Sequence, residues 1–152
     1  MTTENNNNNN TNEVIVSNTA PAKLDLLNAE GSRSYISLKT ETKEDKILLY
    51  NAMNNPTSSI SDHINEKLFI ENVILEEIQL TDNETGEITT AIRTVLIDPK
   101  DNSYQAVSKG VFNSIKQIIS IFGEPITWVE PLEVEVKQVK VEKGSMLTLN
   151  LV

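Results

Sequence analysis

Apolar and polar residues alternate with the two-residue period of a β-strand through much of the chain after residue 66. The alternation predicts a long strand over residues 67–80, a second over residues 88–97 and a short third over residues 103–107. Turn-forming residues separate these runs at positions 82–86, where Gly86 is free to take a positive φ, and at positions 98–102. The pattern therefore predicts three consecutive strands joined by short turns.

The next run changes period and predicts one amphipathic helix. Ser108 is a suitable N-cap, Gly123 suits the residue after the last turn, and Pro125 prevents continuation. The apolar stripe of this helix, at spacings of three and four, consists of Val111, Phe112, Ile115, Ile118, Ile119 and Phe122. We expect the whole stripe, including both phenylalanines, to lie in the core.

Strand-like alternation returns after the helix. Apolar residues occupy even positions from Leu132 to Val136 and then odd positions at Val139 and Val141, which predicts a β-bulge between them. A last strand follows, with Leu147 to Leu151 alternating. The order β-β-β-α-β-β predicts a mainly β domain of the OB-fold class, a five-stranded Greek-key barrel over residues 67–152.

The chain before residue 67 divides into two parts. Residues 31–66 predict a short strand near Tyr35 and a helix that Thr42 caps and Pro56 ends, followed by one further helical turn over residues 58–63. We therefore assign residues 31–152 to one domain, with a strand and helix extension before the barrel. Residues 1–30, which contain a run of asparagines at positions 5–10, are expected to form a disordered arm.

Composition narrows the range of functions. The chain has no cysteine and one histidine, His63, so thiolate metal sites and histidine-based catalytic triads are excluded. No phosphate-binding glycine loop is present. We expect a protein without catalytic activity, cofactor or metal. Because no signal peptide or membrane-spanning segment is recognisable, we expect it to act in the cytoplasm and not to bind a membrane.

The net charge of −9 is unfavourable for nucleic-acid binding, but the charge is uneven. Residues 102–123 carry two lysines and no acid, and three lysines recur near the end of the chain. Single-strand binders combine such cations with aromatic rings on which bases stack. The candidate DNA-binding residues are Arg93, Tyr104, Lys109, Trp128, Lys137, Lys140 and Lys143.

Two of these candidates have alternative roles. Trp128 either stacks on a base or packs against the protein. Arg93 either contacts a phosphate or forms a structural ion pair with the acid-rich first strand.

Several short sequence segments occur together in a recognisable order. They are Thr85-Gly86-Glu87, residues 93–98, residues 104–110 with Ser114, and residues 121–125. In this order the sequence from Ser34 to Val152 resembles the single-stranded DNA-binding proteins of small tailed phages of Gram-positive bacteria and of related mobile elements. The resemblance implies an OB-fold protein that coats single-stranded DNA during phage replication, without sequence preference and without catalysis. Single-stranded DNA is then the partner, with replication proteins as further partners.

A second hypothesis stays open: a protein-interaction module on the same barrel, serving as a phage structural or host-interfering factor. The position of the acids distinguishes the two. If Glu71, Glu77 and Glu87 cluster beside Arg93 on the concave strand face, that face repels phosphate and the second hypothesis gains.

Overall fold

The computed structural model describes residues 33–152, and the arm predicted for residues 1–30 lies outside this range. The strands are β1 (Ser34–Ile36), β2 (Ser58–Ser59), β3 (Lys67–Ile70), β4 (Asn72–Thr81), β5 (Ile88–Ile97), β6 (Ser103–Ala106), β7 (Leu132–Val141) and β8 (Gly144–Leu151). The helices are α1 (Lys43–Asn54) and α2 (Lys109–Phe122), with 3-10 turns at Ile60–His63 and Pro125–Thr127. Strands hold 42% and helices 28% of these residues, so the mainly β prediction is confirmed.

The strands form two sheets rather than one closed barrel. One sheet has the order β1-β4-β5-β6-β2, and the other has the order β3-β7-β8. Within residues 33–152 no strand pairing joins β6 to β8, so the predicted closed barrel is not observed. Helix α2 packs instead against β8 and β5. The helix thus fills the corner at which a barrel would have closed.

The strand predicted over residues 67–80 is in fact two strands, interrupted at Glu71. β3 pairs with β7, whereas β4 pairs with β5, so the chain passes from one sheet to the other at this residue. The interruption also changes which face is buried. Ile70 and Val73 both belong to the main core, while Ile74 belongs to a second core on the opposite face of the five-stranded sheet. The prediction of one uninterrupted alternating strand over residues 67–80 was therefore wrong.

The bulge predicted in β7 was also wrong. β7 and β8 pair in one continuous register from Val134 opposite Leu151 to Val141 opposite Gly144. The change of apolar parity has a simpler cause, because the far half of this hairpin extends beyond the core. Val139 and Val141 lie there with 39% and 43% exposure.

Two apolar cores hold the sheets in place. The main core lies between the two sheets and α2, and it includes Ile70, Leu96, Ile115 and Val134. The second core lies under α1 and includes Ile36, Leu38, Ala52, Ile74, Val95 and Ile97. Because β5 is covered on both faces at this end, Val95, Leu96 and Ile97 are all fully buried in succession.

Both helices begin and end at the capping residues that the sequence predicts. The Thr42 hydroxyl accepts from the Asp45 backbone N–H at 3.0 Å, and the Asp45 carboxylate accepts from the Thr42 N–H at 3.1 Å, as the predicted capping box requires. Ser108 caps α2 by accepting from the Val111 N–H at 3.2 Å, and Gly123 ends it with a φ of 85°. Residues 58–63 differ in part: Ser58–Ser59 pairs as a strand with β6 before the helical turn begins.

The helical stripe is only partly buried. Val111 and Ile115 are fully buried, but Phe122 is 46% exposed and Phe112 is half-buried. The prediction that both phenylalanines lie in the core was therefore wrong: Phe122 lies in the last turn, beyond the buried part of the helix, and Phe112 lines an open groove.

Close approach of α2 to β8 depends on Gly110. A Cβ at this position would overlap with the carbonyl oxygen of Leu147 and would lie 2.7 Å from Cγ of Met146. One turn further along, the Ser114 hydroxyl accepts from the Leu149 backbone N–H at 3.2 Å. The edge of β8 is thus covered by the helix rather than by another strand.

Candidate nucleic-acid interface

Arg93, one of the predicted DNA contacts, is bound within the protein. Its Nε donates to Gln105 at 2.9 Å, its Nη2 donates to the carbonyl oxygen of Met53 at 2.7 Å, and its Nη1 lies 3.3 Å from the Glu76 carboxylate. Its side chain is only 13% exposed. Of the two alternatives for Arg93, the structure contains the ion pair. A contact with phosphate stays a prediction.

Tyr104 on β6 likewise makes its contacts within the protein. Its hydroxyl donates to Asp98 at 3.1 Å, and its ring meets His63 edge to face with 5.1 Å between centroids. Partial burial and the neighbouring Asp98 carboxylate raise the pKa of Tyr104. Partial burial alone would also raise the pKa of Asp98, but hydrogen bonds from Asn102, Lys100 and Tyr104 outweigh it and lower that pKa. This tyrosine anchors the turn between β5 and β6, and stacking on a base remains a prediction.

Trp128 packs against the main core, and its indole N–H donates to the carbonyl oxygen of Gly123 at 2.9 Å. The cavity beside it is small, about 70 Å³, and both Glu71 and Glu130 line it. Carboxylates at this place repel phosphate. Packing is therefore the role that these contacts favour for Trp128.

A larger groove lies between the β4–β5 hairpin and the start of α2, and we call it the α2 groove. Its volume is about 350 Å³. Its lining consists of Leu80, Thr90, Ala91 and Ile92 from the hairpin and Val107, Ser108, Lys109, Phe112 and Asn113 from the helix side. No carboxylate is among these residues. The groove therefore combines a cation, an aromatic ring and apolar walls.

The predicted lysines of the β7–β8 hairpin differ from one another. Lys137 is 3.2 Å from Oδ1 of Asn65 and 3.7 Å from the Glu135 carboxylate. Lys140 and Lys143 are exposed near the turn. Among residues 33–152, no hydrogen bond or ion pair engages the ammonium groups of Lys140, Lys143 or Lys109. These three cations are available to an external anion.

The structure brings the available lysines onto adjoining elements. Met146 on β8 lies directly beside Gly110, and Lys109 is the preceding residue on α2. The β7–β8 hairpin that carries Lys140 and Lys143 therefore adjoins the helical turn that carries Lys109 and lines the α2 groove.

The acids do not form the cluster that would favour the second hypothesis. Glu77 lies opposite Ile92, whereas Arg93 lies opposite Glu76, so Glu77 and Arg93 point to opposite faces of the hairpin. Glu87 lies in the hairpin loop, and Glu71 lies at the break between β3 and β4.

Comparison with known proteins identifies the family to which the chain belongs. Residues 29–152 match the model of a family described as phage single-stranded DNA-binding protein, of the Phi29 type. The chain belongs to this family. No curated protein and no solved structure matches significantly. In the described part of this family member, no helix is long and apolar enough to cross a membrane.

Sequence reasoning missed Phe112 as a site candidate. It sits in an apolar helical stripe, and such a stripe usually marks core residues. The available signal was the pair of lysines at positions 109 and 116, which flank Phe112 at helical spacings of three and four. Lys116 indeed places its ammonium 5.4 Å from the centroid of the Phe112 ring.

Proposed function

We propose that this protein binds and coats single-stranded DNA during phage DNA replication in the host cytoplasm, without sequence preference and without catalysis. Membership of the phage single-stranded DNA-binding family supports the choice of ligand. The small number of potentially catalytic side chains supports a binding role, since the whole chain contains one histidine and no cysteine.

We interpret the two sheets as an OB-type barrel that is open at one corner. β3 and β4 together take the place of a first strand that bends between sheets, and β5, β6, α2, β7 and β8 follow in the order expected. The pairings of β4 with β5, β5 with β6, β3 with β7 and β7 with β8 are consistent with this assignment.

The observation that supports the proposal is a set of three unengaged lysines: Lys109 lines the α2 groove, and Lys140 and Lys143 lie on the hairpin that adjoins the same helical turn. Phosphate neutralisation by lysine provides most of the affinity of a sequence-independent binder. Lys109, Lys140 and Lys143 can provide it here because no carboxylate within residues 33–152 holds them. The negative net charge then lies mostly elsewhere, above all on the β4–β5 hairpin.

The test is fluorescence anisotropy of labelled oligo-dT, with a duplex of equal length as control. We expect the protein to bind only the single strand, with an affinity that falls as salt rises. The double variant Lys140→Glu/Lys143→Glu should lower the affinity about tenfold or more at low salt. The matched control Lys43→Glu/Lys46→Glu on α1 changes the net charge equally and should have a much smaller effect. Equal losses in both variants would mean that net charge alone acts and that the two hairpin lysines are not contacts.

The protein-interaction hypothesis rests on one surface. In the last turn of α2 and just beyond it, Ile121, Ile126 and Val129 are exposed by 75%, 61% and 101%. This apolar surface lies a helix length from Lys109, roughly 20 Å at 1.5 Å per residue. It is the surface we propose for replication proteins in a DNA-binding role, and for the main partner if DNA binding is absent. Failure of the folded protein to bind oligo-dT at low salt would favour the latter.

A further inference from the structure

We propose that the α2 groove is a pocket for an unpaired nucleobase, with Phe112 as the ring on which the base stacks. This inference rests on the proposed single-stranded DNA binding and assigns its base-contacting residue.

The chemistry of the groove suits a nucleotide. Phe112 provides a flat apolar ring, and base stacking on such rings tolerates every base because each has a π face. Lys109 lies in the lining, and the Lys116 ammonium lies 5.4 Å from the ring centroid. The lining contains no carboxylate. Because the Lys116 ammonium lies over one face of the ring, a base would stack on the other face or displace this ammonium, and the two lysines would then be the cations for its phosphates.

The hairpin wall offers hydrogen-bonding groups as well. β5 pairs with β6 only from Thr94 to Ile97. The preceding stretch, from which Thr90, Ala91 and Ile92 line the groove, has no strand partner on that side within residues 33–152. An unpaired strand edge presents backbone N–H and C=O groups in alternation. Such groups can satisfy the donors and acceptors of any base edge, so they bind bases without selecting a sequence.

The size of the groove favours a single strand. Its volume of about 350 Å³ lies at the lower end of small-molecule sites, which span about 300–1,000 Å³. A base must leave its stack and its partner to enter such a pocket, which costs a duplex more than a single strand. Preference for single strands then follows from the pocket and not from the lysines, which attract any polyanion.

The other aromatic candidates are less suited to this role. The Tyr104 ring is in contact with His63, and its hydroxyl is bonded to Asp98. The Trp128 indole is bonded to Gly123, and two carboxylates lie beside it. Phe112 alone among these three lies in a carboxylate-free groove with a lysine in its lining.

The experiment compares three variants of the full chain against two ligands. The ligands are oligo-dT and an abasic oligonucleotide of equal length and charge. The variants are Phe112→Ala, Phe112→Tyr and the control Phe122→Ala, which removes an exposed aromatic ring from the other end of the same helix. We expect Phe112→Ala to lower oligo-dT affinity about 5- to 150-fold. The oligo-dT affinity of Phe112→Tyr and of Phe122→Ala should stay within about twofold of that of the parent protein, because each variant keeps an aromatic ring at position 112.

Two further readouts separate stacking from a loss of structure. Abasic affinity and the salt dependence should not change in Phe112→Ala, since the phosphate contacts remain. Photocrosslinking of the parent protein to oligonucleotides that contain iodouracil should give adducts at Phe112 or its groove neighbours. Adducts confined to Trp128 or Tyr104 would overturn the assignment without relying on any variant that fails to fold.

Failure of the inference differs from failure of the proposed function. If the parent protein binds oligo-dT, and Phe112→Ala binds it equally well, the base pocket is wrong and the single-strand function stands. If the folded parent protein binds neither oligo-dT nor the abasic strand at low salt, the function itself is wrong.

Discussion

The β4–β5 hairpin and the β7–β8 hairpin have the same geometry and opposite electrostatic roles. Both are antiparallel, both pair without a break in register, and both extend past the core into solvent. Between residues 72 and 97 the first carries five carboxylates and one base, Arg93. Between residues 132 and 151 the second carries three carboxylates and three lysines, two of them near the turn.

The two hairpins differ in whether their cations are bound within the protein. The first hairpin uses its single base internally, since Arg93 ties β5 to Glu76, Gln105 and the end of α1. The second leaves Lys140 and Lys143 unengaged within the described residues. Counting charges along the sequence ranks Arg93 with the lysines, whereas the folded geometry separates a structural cation from available ones.

The largest loss of stability should follow from disturbing the close contact between α2 and the β7–β8 hairpin at Gly110. Gly110→Ala forces a Cβ against the carbonyl oxygen of Leu147, and backbone cannot yield as a flexible side chain can. We expect a loss of roughly 3 kcal/mol in the free energy of unfolding, measured by urea denaturation. Gly86→Ala on the acidic hairpin, at a φ of 73° with nothing within 4 Å, should cost only about 1 kcal/mol. Similar losses at the two glycines would contradict the close packing at Gly110.

Arg93→Met tests whether the base of the acidic hairpin is structural. Removing the three hydrogen bonds that this mostly buried guanidinium donates should lower stability by about 2 kcal/mol. Affinity for oligo-dT should stay within about twofold of the parent protein once the variant is confirmed folded, since the lysines proposed to bind phosphate remain. A strong loss of affinity with unchanged stability would instead place Arg93 in the DNA site and erase the distinction between the hairpins.

Reversing two charges on the β4–β5 hairpin should strengthen DNA binding through long-range electrostatics. We expect Glu84→Lys/Glu87→Lys to raise oligo-dT affinity about threefold at low salt, because exposed charges act on a polyanion at long range. The gain should disappear in high salt. Titrations with oligo-dT at several salt concentrations would measure this gain in affinity. A gain that persists in high salt would mean that the loop touches DNA directly.

The smallest effect should come from the exposed valines of the β7–β8 hairpin. Val139→Thr/Val141→Thr should change stability by no more than about 0.5 kcal/mol, since both side chains are well exposed. Val136→Thr, three to five residues earlier on the fully buried part of the same strand, should cost about 1–3 kcal/mol because it buries a hydroxyl. Thermal melts of the two variants would check this. Equal costs would imply that the far end of the hairpin is covered in solution.

The amino-acid sequence by itself determined the local elements. The capping box at Thr42 and Asp45, the ends of α2 at Ser108 and Gly123, and the strand Ile88–Ile97 lie where the pattern predicts them. These features depend on neighbours within a few residues, so a linear pattern contains the necessary information. The family resemblance also follows from the sequence, and the matched family confirms it.

Tertiary structure decided the features that depend on distant contacts. The break at Glu71 follows from pairing with two different sheets, and a single alternating run cannot reveal it. The exposure of Phe112 and Phe122 depends on how far the core extends beneath α2. Whether Arg93 is engaged depends on Met53, Glu76 and Gln105, which only the fold brings together. A side chain's availability is set by partners remote in sequence, which is why the pattern predicted the elements better than the site.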